Sequence, residues 1–492
     1  MTRRALGRRV GMAAAGLVAG RALRGGSEAA AAEEERWCSL GAAEPVASID
    51  APSSLGGPPE VVGSWSAPIQ SPTGVIAVHA VLLHTGHVLF LEGGDAVMWS
   101  PADGSRVRTD PPKDLFCSGH CMLGDGRVFF AGGAKTGPPP NWTTLFDPVT
   151  ATWASGPPMR QGRWYPTVTT MPAGDQVVIV SGEIDRSGVV NDDVEVYSAA
   201  DASLTAVGSR RLGLYPHQKV MPDGRVLTAG PGPDDSWSLD PEDWSWSASP
   251  RLLRSHHNGG GVLLPGGPGG PHELLLCGST YPSGAMVEAF DVDRPEDGWR
   301  RRAPLPEPRA HMNAVLLPDG TILGVAGSNA DGNLHRSLLY DPAGDAWTPM
   351  ATQTKVRGYH STALLLPDGR VLSAGDNIDP GGLDTFELYS PPYLFRGPRP
   401  SIVAAPPVVT WGEVFEVRAT ASVARVVLVR PGSVTHTNNM EQRHVELVLE
   451  GTGVVVRASA PPSPAVAPAG YYLVFVLDAA GVPSVASWVR LA

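Results

Sequence analysis

Short apolar runs that alternate with polar residues recur along most of this chain, and each run ends at a turn signal. One unit repeats: an apolar strand, a turn that contains glycine, a second apolar strand and then small residues. It is clearest in HMNAVLLPDGTILGVAG (311–327) and HSTALLLPDGRVLSAG (360–375). An Asp-Gly pair between two alternating apolar runs predicts a β-hairpin, because glycine adopts the positive φ that tight turns need.

Seven such units follow one another at intervals of roughly 40 to 53 residues. They occupy residues 78–94, 117–133, 165–182, 215–230, 257–278, 311–327 and 360–375. After several units comes an aromatic residue, then Pro or Asp, and later Trp, as in YDPAGDAW (340–347), which predicts the outer strands. A repeat of this length with about four strands predicts a seven-bladed kelch-type β-propeller in an all-β chain.

The repeat stops near residue 390, at the Pro-rich stretch YSPPYLFRGPRPSI. Short Val-rich strands follow, in about the number of a seven-stranded sandwich. We therefore expect a propeller over residues 71–397 and an immunoglobulin-like β-sandwich over residues 398–492. Residues 33–70 show neither pattern and are expected to be irregular.

Composition supports an all-β chain and excludes one class of partner. The 492 residues include 58 Gly and 48 Pro, which favours many strands joined by tight turns. The net charge of −11 argues against nucleic acid, since a phosphate-binding face needs clustered Lys and Arg.

The N-terminus has the pattern of an export signal over residues 1–32, with an Arg-rich start, a short apolar stretch and Ala29–Ala32 as a cleavage region. It resembles a twin-arginine signal, and a disordered basic tail is the alternative. No other segment is predicted to cross a membrane.

The chain has four cysteines. Cys121 and Cys277 are expected to be buried, while a disulfide from Cys38 to either stays open.

The hairpin glycines mark one equivalent position in six repeats. Nine residues before each stand Cys117, Tyr165, Tyr215, His257, His311 and His360. Cys, Tyr and His make up only 27 of 492 residues, so chance predicts fewer than one of them in seven such positions. Inner strands of a propeller line its axis, so these side chains are expected to converge at one mouth. The alternative is that polar aromatic residues simply end the inner strands, and adjacent glycines in the fifth repeat allow a shift of one residue.

Imidazoles and phenols together suit a metal that prefers nitrogen and oxygen ligands, with Cu(II) favoured over Mg²⁺ or Ca²⁺. Ligand types alone do not distinguish copper from zinc. The chain contains no Gly-x-Ser-x-Gly elbow and no phosphate-binding loop.

Four further motifs occur in a fixed order: LFCSGHCMLGDGRVFFAGG, GRWYPTVTTM, RGYHSTALLLPDGR and VTHTNNMEQRH. With the seven-fold repeat between them, the chain resembles the copper radical oxidases, the family of galactose oxidase and glyoxal oxidase. The resemblance covers nearly all of residues 70–492.

The resemblance implies one copper ion and a role for each matched residue. It makes Tyr359 the axial ligand and proton acceptor, and His360 and His436 the equatorial ligands. It makes Tyr165 the equatorial phenolate, joined to Cys117 by a thioether, so that this pair forms the radical cofactor. His436 lies outside the repeats, so the last domain must send a loop to the axis; the alternative is a surface histidine in a polar turn.

The implied activity is the oxidation of primary alcohols or aldehydes, including sugars, by O2, with release of H2O2. The expected protein is a secreted monomer with a small-molecule substrate and no nucleic-acid or membrane partner. Two alternatives stay open: a non-catalytic kelch propeller that binds carbohydrate or protein, and a hydrolase or lyase, which would need carboxylates at the axis.

One departure from galactose oxidase affects the radical. That enzyme stacks a tryptophan on its thioether, and Ile184 occupies the corresponding place here. Trp164 is expected to cover the radical instead, or else to be a packed rim residue. Galactose specificity is therefore not carried over. Tyr215, His257 and His311 are candidates only for orienting the substrate, and His79, His84 and His87 are expected to be ordinary strand and turn residues.

Overall fold

The computed structural model describes residues 57–71, 74–232, 234–280, 284–378 and 383–492. The predicted export signal and Cys38 lie outside the described residues. Strands dominate, so the all-β prediction is confirmed. The described helices are α1 (Pro59–Val62) and two 3₁₀ helices at Pro295–Asp297 and Pro392–Phe395. None of these combines the length and apolar character that a bilayer span requires.

Seven antiparallel sheets form the propeller blades, preceded by β1 (Ser64–Trp65) and β2 (Ile69–Gln70). Blade 1 contains β3 (His79–Leu82), β4 (Val88–Glu92), β5 (Asp95–Trp99) and β6 (Arg106–Arg108). Blade 2 contains β7 (Gly119–Met122), β8 (Val128–Ala131), β9 (Thr143–Asp147) and β10 (Thr152–Ser155). Blade 3 contains β11 (Thr167–Thr170), β12 (Gln176–Val180), β13 (Asp193–Ser198) and β14 (Ser203–Ser209). Blade 4 contains β15 (His217–Val220), β16 (Val226–Ala229), β17 (Ser236–Leu239) and β18 (Trp246–Ser249). Blade 5 contains β19 (Gly260–Leu263), β20 (Glu273–Cys277), β21 (Val287–Asp291) and β22 (Arg300–Arg301).

Blade 6 carries an extra small hairpin between its second and third strands. Its strands are β23 (Asn313–Leu316), β24 (Ile322–Val325), the hairpin β25 (Ser328–Asn329) and β26 (Gly332–Asn333), then β27 (Arg336–Asp341) and β28 (Ala346–Thr352). Blade 7 contains β29 (Ser361–Leu365), β30 (Val371–Gly375) and β31 (Thr385–Ser390).

The first strand of every blade is buried along its whole length, whereas outer strands such as β6 are exposed. These first strands therefore line the axis, as the repeat pattern predicts. The turn that follows each has its glycine in the left-handed region, for example Gly126 at φ 93° and Gly320 at φ 91°. Most side chains are disfavoured there, which is why the hairpin glycines recur.

Blade 7 is closed by strands from the other end of the chain. Both β1 and β2 pair with β31, which completes the sheet and joins the two ends of the propeller. Trp65 packs against Tyr389 with ring centroids 5.1 Å apart. Residues 57–70 therefore differ from the irregular segment expected, because two-residue strands are too short to show alternation and form only against an existing sheet edge.

The C-terminal domain is a sandwich of two sheets with nine described strands, rather than the seven expected. Its strands, with an inserted hairpin, are β32 (Ile402–Ala404), β33 (Val408–Val409), β34 (Val414–Val423), β35 (Arg425–Arg430), the hairpin β36 (Ser433–Thr435) and β37 (Asn438–Asn439), β38 (Arg443–Glu446), β39 (Val448–Glu450), β40 (Gly453–Ser459), β41 (Gly470–Leu477) and β42 (Ser487–Leu491). One sheet has the order β32-β34-β40-β39 and the other β33-β42-β41-β35-β38.

The hairpin β36–β37 leaves the sandwich and joins the propeller. Strand β36 pairs with β3, the innermost strand of blade 1, with Thr435 opposite His79 and Ser433 opposite Val81. This pairing brings the loop that carries His436 to the propeller axis.

Candidate metal centre

The residues that precede the inner strands share an unusual backbone conformation. Cys117, Tyr165, Tyr215, His311 and His360 all have φ between 45° and 66°, in the left-handed region that few non-glycine residues adopt. In the fifth repeat the residue in this conformation is Asn258, at φ 56°, so the assignment of His257 is off by one residue. Residues in this strained conformation persist only where the surrounding fold holds them in place, and they cluster at functional sites.

Backbone hydrogen bonds connect neighbouring members of this ring. The Tyr165 N–H donates to the Cys117 carbonyl (3.2 Å), and the Tyr215 N–H donates to the Tyr165 carbonyl (3.0 Å). The His311 N–H donates in the same way to the Asn258 carbonyl (2.9 Å). Cys117 and Tyr165 are therefore adjacent at the starts of β7 and β11.

A fully buried arginine anchors the loop that presents Tyr165. One Nη atom of Arg163 donates to the Ser181 carbonyl (2.6 Å) and the other to Glu195 Oε2 (2.7 Å). Both side chains of this ion pair are no more than 1% exposed. Such a charge is tolerated in the interior only when it is paired and hydrogen-bonded, and the pairing holds the loop rigidly.

Donor groups from four distant parts of the chain meet beside this loop. The Tyr165 and Tyr359 hydroxyls form a short hydrogen bond with each other. Cys117 Sγ lies 3.5 Å from His436 Nε2, and one donor atom each from Cys117, His360 and His436 lies within 4.8 Å of the other two. The structure therefore brings together all five residues that the resemblance assigns to copper and its radical cofactor.

The neighbours of His436 determine which of its nitrogens carries the proton. The Thr435 hydroxyl donates to the Val78 carbonyl (3.0 Å), so it accepts from His436 Nδ1–H at 2.6 Å. This leaves the lone pair on Nε2, the nitrogen that faces the cluster. Burial, followed by the nearby His360, lowers the pKa of His436 well below its ordinary value. The ring is therefore neutral, which is the form that binds a metal.

His360 is oriented in the same way. Its Nδ1–H donates to Asn377 Oδ1 at 2.5 Å, so its lone pair is on Nε2. Burial lowers the pKa of His360 to about 4. Its Nε2 is buried and has no hydrogen-bond partner among the described residues. A buried acceptor without a partner costs free energy unless something binds it, and two imidazole nitrogens beside two phenol oxygens form a donor set that copper fits.

Trp164 stacks on Tyr165, with ring centroids 3.9 Å apart and planes inclined by 20°. The aromatic ring that covers Tyr165 therefore belongs to the adjacent residue, as the sequence suggests, and not to the position that Ile184 occupies. The loop that contains Ile184 contributes Arg186 instead, whose guanidinium carbon lies 4.4 Å from the centroid of the Trp164 ring.

Two of the three candidates for substrate orientation border the cluster. Tyr215 and His311 line a small cavity of about 30 Å³ together with Tyr165 and Tyr359. The Tyr215 hydroxyl donates to the Ser118 carbonyl (3.0 Å), so this side chain is held by the fold. His257 is not among the residues that line the cavity.

A chain of buried hydrogen-bonded groups lies behind Cys117 and was not predicted from the sequence, where His79 was expected to be an ordinary strand residue. The Cys117 N–H donates to His79 Nε2 (3.1 Å), so His79 Nδ1–H donates to His120 Nε2 (3.0 Å). His120 Nδ1–H in turn donates to Ser433 Oγ (2.6 Å). Burial lowers the pKa of His120 to about 3, which keeps its ring neutral. His79 and His120 stand on different blades, and no sequence spacing relates them.

The family model described as "Galactose oxidase-like, Early set domain" matches residues 399–491 of this chain. Among curated proteins, the chain is 28% identical to galactose oxidase from Gibberella zeae, over 89% of this chain and 72% of that protein. It is 29% identical to aldehyde oxidase GLOX from Vitis pseudoreticulata, over 77% of this chain and 82% of that protein. Its fold is similar to that of a solved fungal alcohol oxidase in complex with copper, with a TM-score of 0.77, 23% identity, 88% of this chain covered and 100% of that one.

We expect His79→Leu to lower the free energy of unfolding by about 1–3 kcal/mol, because it leaves the Cys117 N–H and His120 Nε2 buried without partners. Urea unfolding followed by circular dichroism measures this. His87→Leu is the control, since among the described residues the His87 imidazole hydrogen-bonds to Thr85 of its own turn. Equal loss of stability in both variants would show that the buried chain does not stabilise the site.

Proposed function

Because this chain belongs to the copper radical oxidase family, we propose that it oxidises primary alcohols or aldehydes with O2 and releases H2O2. The observation that carries the proposal is the convergence of the Cys117 thiol and two imidazole Nε2 atoms beside the hydrogen-bonded hydroxyls of Tyr165 and Tyr359. A non-catalytic binding propeller is not favoured, since such a protein has no need for this donor set.

Four side chains would hold one copper ion: His360 and His436 through Nε2, and Tyr165 and Tyr359 through their phenol oxygens. When bound, copper supplies a one-electron couple between Cu(II) and Cu(I). The two histidines need no rearrangement, because Asn377 and Thr435 already hold their Nδ1–H groups and leave Nε2 free to bind.

Oxidation of an alcohol to an aldehyde removes two electrons and two protons, so a one-electron metal is insufficient. The second oxidising equivalent would be held on Tyr165. A thioether from Cys117 to the carbon next to the phenol oxygen would make Tyr165 easier to oxidise, because sulfur shares the unpaired electron. Formation of that bond removes two hydrogen atoms, which O2 accepts.

Tyr359 suits the role of proton acceptor. Its ring is partly exposed and lines the small cavity, and its hydroxyl is within hydrogen-bonding reach of Tyr165. In the proposed reaction Tyr359, as a phenolate, takes the proton of the substrate hydroxyl, and Tyr165 takes a hydrogen atom from the neighbouring carbon. The remaining electron would go to the one-electron couple that copper supplies. O2 then accepts the two electrons and two protons and leaves as H2O2.

The cavity beside these groups favours small substrates. Its 30 Å³ is about the volume of one or two water molecules, and aromatic rings from Tyr215 and His311 border it. Small aldehydes and primary alcohols therefore suit the site at least as well as galactose. Trp164, which stacks on the Tyr165 ring, would cover the radical.

The proposed reaction takes place outside the cytoplasm. The export pattern over residues 1–32 supports this. The net charge of −11 separately makes nucleic acid an unsuitable partner.

We expect a cross-linked Cys117–Tyr165 peptide after incubation with copper and air. Its mass should be about 2 Da below the sum of the two peptides, because two hydrogen atoms are lost on bond formation. Peptide mass spectrometry detects it. Cys117→Ser should abolish the cross-link, whereas Cys121→Ser should retain it, since Cys121 is a buried thiol within β7. Separate, unmodified peptides in the wild type would contradict the proposed cofactor.

Copper-loaded protein should release H2O2 with at least one member of a panel of glyoxal, methylglyoxal, galactose and simple primary alcohols. A coupled peroxidase assay measures this. Tyr165→Phe should reduce release to background, because no oxidising equivalent can be held there. Tyr197→Phe is the matched control, being a buried tyrosine in the third strand of the same blade. Oxidation by Tyr165→Phe at the wild-type rate would rule out the proposed mechanism.

Thr435→Val should weaken copper binding about 10–100-fold, since His436 loses the acceptor that fixes its ring orientation and tautomer. Competition with a chelator of known affinity measures the dissociation constant. Thr143→Val is the control: its buried hydroxyl also donates to a backbone carbonyl, that of Pro157, but in an outer strand. Identical copper affinity in Thr435→Val and the wild type would show that Thr435 does not orient the ligand.

A further inference from the structure

Arg186 completes a stack of three side chains that begins at the proposed radical residue. Tyr165 covers one face of the Trp164 indole at 3.9 Å between ring centroids. The guanidinium carbon of Arg186 lies over the same indole at 4.4 Å from the ring centroid. Since the phenol occupies one face, the guanidinium covers the other.

The loop that carries Arg186 is built to place it there. Trp164 and Glu183 exchange two backbone hydrogen bonds, of 2.9 and 2.7 Å, which bring the start of the loop alongside the tryptophan. Near the loop tip Arg186 has a φ of 57°, a conformation that costs free energy for a long side chain. The unfavourable backbone conformation therefore occurs at the residue whose side chain contacts Trp164.

Contacts from Arg186 to blade 2 hold the guanidinium over the ring. Its Nε donates to the Gly137 carbonyl (2.8 Å), and one Nη donates to the Ala134 carbonyl. Both acceptors are neutral carbonyls, so neither hydrogen bond offsets the positive charge of the guanidinium. The indole Nε1 of Trp164 is buried without a hydrogen-bond partner among the described residues. Contacts on its two faces are therefore what orients Trp164.

A fixed positive charge at this distance opposes removal of an electron from the indole. The attraction between a cation and the electrons of an aromatic face is lost when that ring becomes a radical cation, and charge repulsion takes its place. The same charge acts less strongly on Tyr165, which is farther away. Electron loss from Trp164 is therefore disfavoured more than electron loss from Tyr165.

We propose that Arg186 is a positioning residue that holds Trp164 against Tyr165 and keeps the oxidising equivalent on the phenol instead of the indole. This inference rests on the proposed radical role of Tyr165. It explains how a large aromatic ring can cover a strong oxidant without being oxidised by it.

The test compares Arg186→Met, which keeps a long side chain over the ring but removes the charge, with Arg186→Lys, which keeps the charge. Full-length protein without copper is exposed to photolytically generated azide radicals, which take one electron from tryptophan. Peptide mass spectrometry then measures oxidation at Trp164. We expect about three- to tenfold more oxidation in Arg186→Met, as loss of a cation–π contact predicts, and less than about a twofold change in Arg186→Lys.

Arg210→Met is the matched control, because Arg210 lies 4.0 Å from the ring centroid of Trp237, away from the proposed centre. It should raise oxidation at Trp237 and leave Trp164 unchanged. Equal oxidation of Trp164 in the wild type and Arg186→Met would overturn the proposal. An equal increase in the Lys and Met variants would also overturn it, by showing that Arg186 acts only through packing.

A second measurement addresses Tyr165 itself. Copper-matured protein is poised in ferricyanide–ferrocyanide mixtures, and the absorption of the tyrosyl radical gives the oxidised fraction. After the oxidant is removed, radical absorption should decay faster in Arg186→Met than in the wild type, with products appearing at Trp164. An unchanged rate of decay would overturn the proposal. If the wild type forms no radical, the proposed function fails, and the azide-radical experiment still decides whether Arg186 protects Trp164.

Discussion

The insertion of the hairpin β36–β37 into the propeller axis is the interaction on which the site depends. Strand β36 extends the sheet of blade 1 through β3, so main-chain hydrogen bonds fix its position along the axis. Side chains secure it from other directions: Gln442 exchanges hydrogen bonds with the main chain of Ala314 and Leu316 in blade 6. Without this insertion the propeller would present three of the four proposed ligands, and His436 would remain with the sandwich.

Buried charges on both sides of the hairpin make the insertion specific. Arg430 and Glu441 form an ion pair with both side chains at most 3% exposed. Arg443 donates to the Val466 carbonyl (3.0 Å), and Lys219 in blade 4 donates to the Asn439 carbonyl. A buried charge is costly without its partners, so any other placement of the hairpin would leave several charges uncompensated. The contacts that dock the hairpin therefore also hold His436 at the site.

The repeat made much of this site predictable, and its irregularities account for what was missed. A position counted from the hairpin glycine identified five ring residues, because a constant turn length keeps the register. In the fifth repeat the turn is longer, and Asn258 takes the place predicted for His257. The pairing of His79 with His120 and the contact of Arg186 with Trp164 join different blades or loops, so they follow no spacing along the chain.

By itself the sequence determined the all-β architecture, the seven repeated units and the residue types at the mouth of the propeller. These depend on alternation and turn residues, which act over a few positions. Only the tertiary structure decided which imidazole nitrogens face the cluster, that short N-terminal strands close blade 7, and that Arg186 covers Trp164. Each of these depends on where one loop meets another across the fold, and hydrogen-bond geometry between distant segments leaves no local pattern in the chain.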